Sequence, residues 1–262
     1  MIQRPAYWRY LKHGGFSLFD ENEHVCAAVE TLMNETAQPD THGVGRDSHK
    51  QRFSRFKVVS VQRVENPQAW TAYAGSRRAL AEDLSREGYV PPAMPPLETA
   101  SFCYPLQYNT LEQDAGEVFL FHGTPKATSI SRAGFDVRYA MAGSGAGDLF
   151  SKGVYFAESA SKADQYVPVA EPGAPQTMVL ARVTLGRCQV VRRTRSGAPF
   201  LPEVKGRSTA DVPVYYDSIV ADVSRMRFRE IIVGKDTCAY PELLVTYMRE
   251  PWPSGDPWCA LS

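Results

Sequence analysis

Three short segments, in a fixed order along the chain, decide the fold. They read Phe121-His122-Gly123-Thr124, then Gly153-Val154-Tyr155-Phe156-Ala157-Glu158, then Phe228-Arg229-Glu230-Ile231-Ile232-Val233. Each lies on or beside an apolar run whose length and composition are typical of a β-strand. Together they offer a histidine, a tyrosine and a glutamate to one pocket. Such a trio suits the binding of a dinucleotide through its riboses and the breaking of a glycosidic bond.

The rest of the chain mixes helical and strand patterns without a regular β-α-β alternation. Asp20 precedes an apolar face at helical spacing and predicts a helix over residues 20–37. Asn66-Pro67 begins a second helix that Gly88 ends, and Thr124-Pro125 begins a third. Strands are predicted at 56–61, 117–122, 177–185, 188–193, 213–220, 229–233 and 242–248. This pattern predicts an α+β fold with a largely antiparallel or mixed sheet and flanking helices.

The domain organisation follows from the absence of a convincing linker or internal repeat. Residues 51–250 are predicted to form a single catalytic domain, with residues 1–50 as an N-terminal extension that packs on it and residues 251–262 as a C-terminal tail. A chain of 262 residues is long enough for one large domain.

Composition narrows the class of function. Lys and Arg number 29, as do Asp and Glu, so the formal net charge is zero and nonspecific nucleic-acid binding has no electrostatic support. The five cysteines form no Cys-x-x-Cys pair and the histidines show no metal spacing, so we expect no bound metal and a reducing, intracellular location, cytoplasmic or nuclear. No signal-peptide pattern and no apolar run near 18 residues is present, so we expect no transmembrane segment.

The last four residues fit a lipidation pattern. Cys259-Ala260-Leu261-Ser262 matches the C-a-a-X motif for prenylation, but the preceding residues lack the usual basic cluster. Lipid anchoring at Cys259 is therefore the weaker interpretation, and a chance match is the stronger one.

A glycine-rich stretch, Gly143-Ser144-Gly145-Ala146-Gly147, has the look of a phosphate-binding loop. No strand is predicted before it and no clear helix after it, so the Rossmann interpretation fails on context. We interpret it as a flexible loop, which is compatible with a lid over a ligand.

Each candidate residue offers a different interaction to a ligand. His122, at a strand end, can donate to or accept from a ribose hydroxyl, although a capping or core histidine is the alternative. Gly123 has no side chain, so its backbone N–H and C=O are open to a carboxamide. Tyr155 and Tyr166 can sandwich a flat ring, or can be ordinary packing aromatics. Glu230, in an apolar strand, is either salt-bridged or stabilises positive charge on a ribose.

In combination these segments resemble the poly(ADP-ribose) polymerase-like ADP-ribosyltransferases of the His-Tyr-Glu type. The resemblance is most specific over residues 121–166 and 217–247, and the stretch from Glu230 to Tyr240-Pro241-Glu242 is similar to the tankyrase-type ending. It implies the split mixed or antiparallel sheets of that fold.

The resemblance also implies roles by position. NAD would be the substrate, with no metal required. His122 would hold the adenosine ribose, Gly123 the carboxamide of nicotinamide, and Tyr155 and Tyr166 would flank the nicotinamide ring. Glu230 would be the catalytic glutamate, acting with His122 and Tyr155. Two further parts would contact the donor: Arg138 near adenosine, and the loop 143–147 over NAD.

One position departs from the family pattern. The family usually has a serine three residues before the second tyrosine, and Ala163 stands there. The loss of one neutral hydrogen bond to the carboxamide would weaken binding by about 0.5–1.5 kcal/mol. Ser161 is the nearest candidate substitute.

The resulting expectation is an NAD-dependent ADP-ribosyltransferase that releases nicotinamide and favours mono-transfer or short chains. A protein acceptor is expected, the enzyme itself included, and a nucleic-acid acceptor is left open. Two alternatives remain from the residues: a noncatalytic NAD or ADP-ribose binding module, and an NAD-consuming effector or toxin with the same pocket.

Overall fold

The structure of the protein is a computed structural model. It describes residues 2–9, 15–43, 52–103, 106, 111–142, 149–168, 171, 173–194, 201–204, 214–224 and 226–252.

A nine-stranded sheet forms the centre of the described chain, in the order β1-β2-β9-β5-β3-β4-β8-β7-β6. Neighbouring strands are antiparallel except β6 and β7, which are parallel. The strands are β1 (Ser17–Asp20), β2 (Arg55–Glu65), β3 (Glu117–Gly123), β4 (Val154–Ala157), β5 (Gln176–Thr184), β6 (Cys188–Val191), β7 (Ser218–Ala221), β8 (Glu230–Val233) and β9 (Ala239–Glu250).

Six α-helices flank the sheet within the described residues. They are α1 (Glu23–Glu35), α2 (Pro67–Glu87), α3 (Glu98–Phe102), α4 (Ala127–Ala133), α5 (Val137–Ala142) and α6 (Ala160–Asp164). The expected α+β class with a mixed sheet is confirmed. No helix among these residues has both the length and the apolar character needed to cross a bilayer.

The helices cover both faces of the sheet because side chains alternate between faces along each strand. On one face α1 and α6 pack with alternate residues of β3 and β9, such as Phe121 and Tyr247, in one apolar cluster. On the other face α4 packs with Leu120 and Leu244, and α2 packs through Trp70 against Tyr240 of β9.

Local sequence signals set the helix ends, and two of the predicted helix starts were wrong. As predicted, Asn66 caps α2 through its side chain, and Gly88 ends the helix in the left-handed region at φ +60°. The predicted cap of the first helix was wrong: Asp20 is the last residue of β1, and the side chain of Asn22 accepts from Val25 N instead. The third helix begins at Ala127, after a turn, and not at Thr124.

The pairing between β3 and β4 is the shortest of the described strand pairings in the sheet. The described register there holds one pair, Phe121 with Ala157, and Ala157 in turn pairs with Glu230 of β8. The split implied by the family resemblance corresponds to this junction, through which the sheet remains continuous. Three residues thus form a row across β3, β4 and β8, and directly opposite residues point to the same face.

Candidate active site

A cavity of about 260 Å³ lies where β3, β4 and β8 meet α6. It brings together five of the six residues singled out in the sequence, and its lining is mostly apolar. The lining residues are Phe121, His122, Gly123, Gly153, Tyr155, Phe156, Ala157, Lys162, Ala163, Tyr166 and Glu230.

Two glycines allow the walls of this cavity to pack closely. A Cβ added to Gly153 would stand 2.6 Å from the carbonyl oxygen of Val233 on β8. A Cβ added to Gly123 would stand 2.6 Å from the carbonyl carbon of Ala163, so α6 lies directly against the end of β3. Both positions therefore require glycine because backbone, which cannot rotate away as a side chain can, occupies the space.

His122 is held in one tautomer. Its Nδ1 lies 2.8 Å from the carbonyl oxygen of Tyr155, and since a carbonyl can only accept, Nδ1 carries the proton and donates it. Burial lowers the pKa of His122, which favours the neutral ring. Nε2 is then left with a lone pair that can accept a hydrogen bond from a hydroxyl.

Tyr155 uses its hydroxyl to hold the segment that precedes β4. The Oη donates to the carbonyl of Ser151 at 2.8 Å and accepts from Phe150 N at 3.2 Å and Ser151 N at 3.3 Å. Since three backbone groups occupy this hydroxyl, the part of Tyr155 that is open to a ligand is the face of its ring.

Lys162 joins Glu230 to Tyr166, a connection that the sequence reasoning missed. Its Nζ lies 3.2 Å from Glu230 Oε1 and donates to Tyr166 Oη at 2.8 Å. Burial alone would lower the pKa of Lys162, but Glu230 and then Tyr166 outweigh it, and the pKa is raised. The spacing of four residues between Lys162 and Tyr166 is the one signal that could have suggested their contact.

Helix α6, which carries Lys162, is tied to β9 by a buried carboxylate. Asp164 accepts a hydrogen bond from Tyr247 Oη at 2.5 Å and pairs with Arg249, whose Nε lies 2.9 Å from Asp164 Oδ1. Such a buried, charge-assisted pair fixes the helix, and with it the position of Lys162 over Glu230.

An ion pair between Arg229 and Glu158 lies next to Glu230. Arg229 makes two hydrogen bonds with Glu158, from Nε at 2.5 Å and from Nη2 at 2.7 Å. The remaining donors of Arg229 reach the carbonyls of Pro95 and Pro96 at 2.9 and 2.8 Å. The ends of β4 and β8 are thereby locked together next to Glu230.

A second cavity, of about 640 Å³, adjoins the first and shares His122, Gly153 and Tyr155 with it. Arg138 lines this second cavity and not the first. Its guanidinium is exposed and forms an ion pair with Asp136 at 2.7 Å. The sixth predicted residue therefore lines the cavity that adjoins the first one at His122.

Ala163, which stands where the family usually has a serine, lines the first cavity. The Ser161 hydroxyl accepts a hydrogen bond from Gln38 N at 3.0 Å, and Ser161 is not among the lining residues. Ser161 is thus not placed to replace the missing serine. The loop 143–147 and Cys259 lie outside the described residues.

Among the residues that the structure describes, no group of three or more His, Cys, Asp or Glu side chains could hold a metal ion. The carboxylates that flank the cavity already form ion pairs. Glu158 pairs with Arg229, and Glu230 pairs with Lys162.

Two comparisons with known proteins bear on this site. The sequence model of the poly(ADP-ribose) polymerase catalytic domain matches residues 40–211, a range that includes His122, Tyr155 and Tyr166 and ends before Glu230. A probable poly(ADP-ribose) polymerase of Dictyostelium discoideum is 27% identical over 201 residues, which are 74% of this chain and 45% of that relative. The match therefore spans less than half the length of the relative.

Proposed function

The chain belongs to the poly(ADP-ribose) polymerase catalytic domain family, and on this premise we propose that it is an NAD-dependent ADP-ribosyltransferase. It releases nicotinamide and transfers ADP-ribose to a protein acceptor, itself included. The observation that carries the proposal is the meeting of Glu230, which lies beyond the matched range, with His122 and Tyr155 in one cavity.

In this proposal the smaller cavity holds the nicotinamide end of NAD. The described pairing of β3 with β4 is at Phe121, so the edge of β3 at Gly123 is open to a ligand, and a backbone N–H and C=O match a carboxamide. Tyr155 offers its ring face because its hydroxyl is already bonded, and Tyr166 lies half-exposed at the same cavity. An apolar, aromatic lining suits a flat ring.

The adjoining larger cavity holds the adenosine end. His122 lines both cavities, and its Nε2 accepts a hydrogen bond from a ribose hydroxyl because Nδ1 is committed to the Tyr155 carbonyl. Arg138 lines the larger cavity and contributes positive charge near the adenosine side.

Glu230 supplies the charge that the reaction needs. While the bond from ribose C1′ to the nicotinamide nitrogen breaks, its carboxylate stabilises the positive charge that develops on the ribose. Nicotinamide leaves with the bonding electrons, and the acceptor nucleophile donates a pair to C1′ and releases its proton. Nothing in this step requires a metal.

Lys162 acts as a positioning residue for Glu230. It orients the buried Glu230 carboxylate through the 3.2 Å ion pair, because a charge-assisted contact between two buried groups favours one geometry. The Asp164 bonds to Tyr247 and Arg249 hold α6 and so hold this pair in place.

We propose the domain boundaries that the sequence suggested: an N-terminal extension over residues 1–50, a catalytic domain over 51–250 and a tail over 251–262. The described part of the extension supports its packing on the catalytic domain, because α1 lies in the same apolar cluster as α6. The proposed product is a single ADP-ribose unit or a short chain, although Glu230 allows polymer formation by the family resemblance, and a nucleic-acid acceptor is left open.

The proposal is tested with labelled NAD and the purified chain, with nicotinamide release and labelled protein measured together. We expect both, and we expect Glu230→Gln to keep the fold while lowering transfer by about 100- to 1000-fold, as for loss of a charge-stabilising group. The matched control is Glu82→Gln, on the exposed side of α2, whose partner is Arg78 at 4.0 Å.

The results of these assays distinguish the candidate functions. Equal activity in Glu230→Gln and Glu82→Gln would remove Glu230 from the mechanism. Binding of NAD without any nicotinamide release would favour the noncatalytic module, and release without labelled protein would favour a different acceptor or hydrolysis.

A further inference from the structure

A small cavity lies beside the candidate active site, at the ends of β4 and β8. Its volume is about 170 Å³, below the roughly 300–1,000 Å³ of cavities that hold whole small molecules. Its walls come from the β4–α6 junction, the segment between β7 and β8, the proline-rich segment with the first residue of α3, and Gln38. A cavity of this size suits one side-chain group.

The cavity adjoins the reacting position through two strands. Ala157 and Glu230 are directly paired and both line the candidate active site. The next residues along the strands, Glu158 and Arg229, both line the small cavity. Successive side chains alternate between the faces of the sheet, but both cavities are lined at the same ends of β4 and β8. An acceptor segment that lies along these strand ends would place one side chain at Glu230 and a second side chain at the small cavity.

Both arginines of this cavity and one of its carboxylates are neutralised by partners. Arg229 pairs with Glu158, at 2.5 Å. Arg227 pairs with Asp40 at 2.8 Å, on the exposed surface. The cavity therefore offers no unpaired positive charge for an anion.

The remaining carboxylates differ from each other. Asp222 pairs with Arg192 at 2.9 Å, whereas Glu98, half-buried, has no ion pair or side-chain hydrogen bond with any described residue. Burial and then Glu158 raise the pKa of Glu98, and Arg229 lowers it by less, so a cation that entered the cavity would stabilise the charged form of this carboxylate. The cavity thus carries one uncompensated negative charge.

Two further side chains complete a site for a cation. Ser159 is 1% exposed, and its hydroxyl has no hydrogen-bond partner among the described residues. It occupies the N-cap position of α6 without making a capping bond, which is unusual because buried hydroxyls are normally bonded. Phe228 adds an aromatic ring to the same wall, and such rings attract cations.

We propose that this cavity is a subsite for the guanidinium or ammonium group of an arginine or lysine that neighbours the modified residue in a protein acceptor. Glu98 supplies the charge, Phe228 the ring, and Ser159 a hydroxyl that accepts a hydrogen bond from the cation. The inference rests on the proposed function and extends it, since it names a basic protein segment as the acceptor. Phosphate groups of a nucleic acid or of an ADP-ribose chain are disfavoured at this position by the unpaired carboxylate.

The test compares two fluorescein-labelled peptides that differ in one side chain. Each contains one serine followed by either arginine or citrulline, which has the shape of arginine without its charge. Binding is measured by fluorescence anisotropy for the wild-type protein, Glu98→Gln and the control Glu82→Gln, and transfer from labelled NAD is measured in parallel.

We expect the wild type and Glu82→Gln to bind the arginine peptide about 5- to 20-fold more tightly than the citrulline peptide, as for a charge-assisted hydrogen bond at a partly exposed site. In Glu98→Gln the preference should fall to within about twofold, by loss of the same interaction. Equal affinities in the wild type, or a preference that survives in Glu98→Gln, would overturn the subsite.

The two proposals fail separately. Arginine preference with neither ADP-ribose transfer nor nicotinamide release would leave the cation subsite standing and would refute the enzyme activity. Transfer to both peptides with equal affinity would leave the enzyme activity standing and would refute the subsite.

Discussion

Replacing Gly123 by alanine tests whether the contact between β3 and α6 shapes the candidate active site. A Cβ at this position would lie 2.6 Å from the carbonyl carbon of Ala163 and closer still to its carbonyl oxygen, whereas carbon atoms pack best at about 3.5–4.0 Å. Helix α6 would have to move by on the order of 1 Å to accept the methyl group.

The helix is not free to make that shift. Asp164 holds it to Tyr247 and Arg249 through buried hydrogen bonds, and Ser161 holds it to the backbone of Gln38. Overpacking of a tight core costs about 1–3 kcal/mol, and the clash with backbone favours the upper end. For a chain of this size a loss of about 3 kcal/mol lowers Tm by on the order of 6–12 °C.

The measurement is thermal unfolding together with NAD binding by calorimetry. We expect Gly123→Ala to lower Tm by that amount and to weaken NAD binding, because Lys162 and Ala163 move with α6. The control is Gly75→Ala in α2, where the nearest side-chain atom is 3.9 Å away and the helix gains up to about 1 kcal/mol. Wild-type Tm and NAD affinity in Gly123→Ala would refute the reasoning.

Two further predictions concern a buried histidine and the tyrosine of the site. Burial lowers the pKa of His42 to about 4, so the unfolded chain binds the extra proton first, and stability falls as pH drops below about 6.5, by about 2.5 kcal/mol at pH 4.5. Urea unfolding at pH 7 and 4.5 should show this loss in the wild type and less of it in His42→Phe; an equal loss in both would contradict the assignment. Tyr155→Phe keeps the ring but leaves the Ser151 carbonyl and two backbone N–H groups without their partner, so the free energy of unfolding should fall by about 1–3 kcal/mol and the KM for NAD should rise. Unchanged urea unfolding and KM would show that the hydroxyl does not support the site.

Much of the local structure could be predicted from neighbouring residues alone. Asn66, Pro67 and Gly88 set the ends of α2 because capping and backbone preferences act within one turn. Apolar runs predicted β3, β5 and β8 to within a residue or so. The wrong cap of α1 has a non-local cause: Asp20 and Asn22 are both good capping residues, and only the pairing of β1 with β2 decides between them.

The candidate site divides in the same way. The sequence by itself determined the family and the α+β class, and it predicted His122, Tyr155 and Glu230 as site residues, because residue types and spacing carry that information. The tertiary structure alone decided that Lys162 meets Glu230 and that the hydroxyl of Ser159 remains unbonded. The physical reason is that the contact between Lys162 and Glu230 joins residues far apart in the chain, so its geometry depends on how strands and helices pack and not on any local pattern.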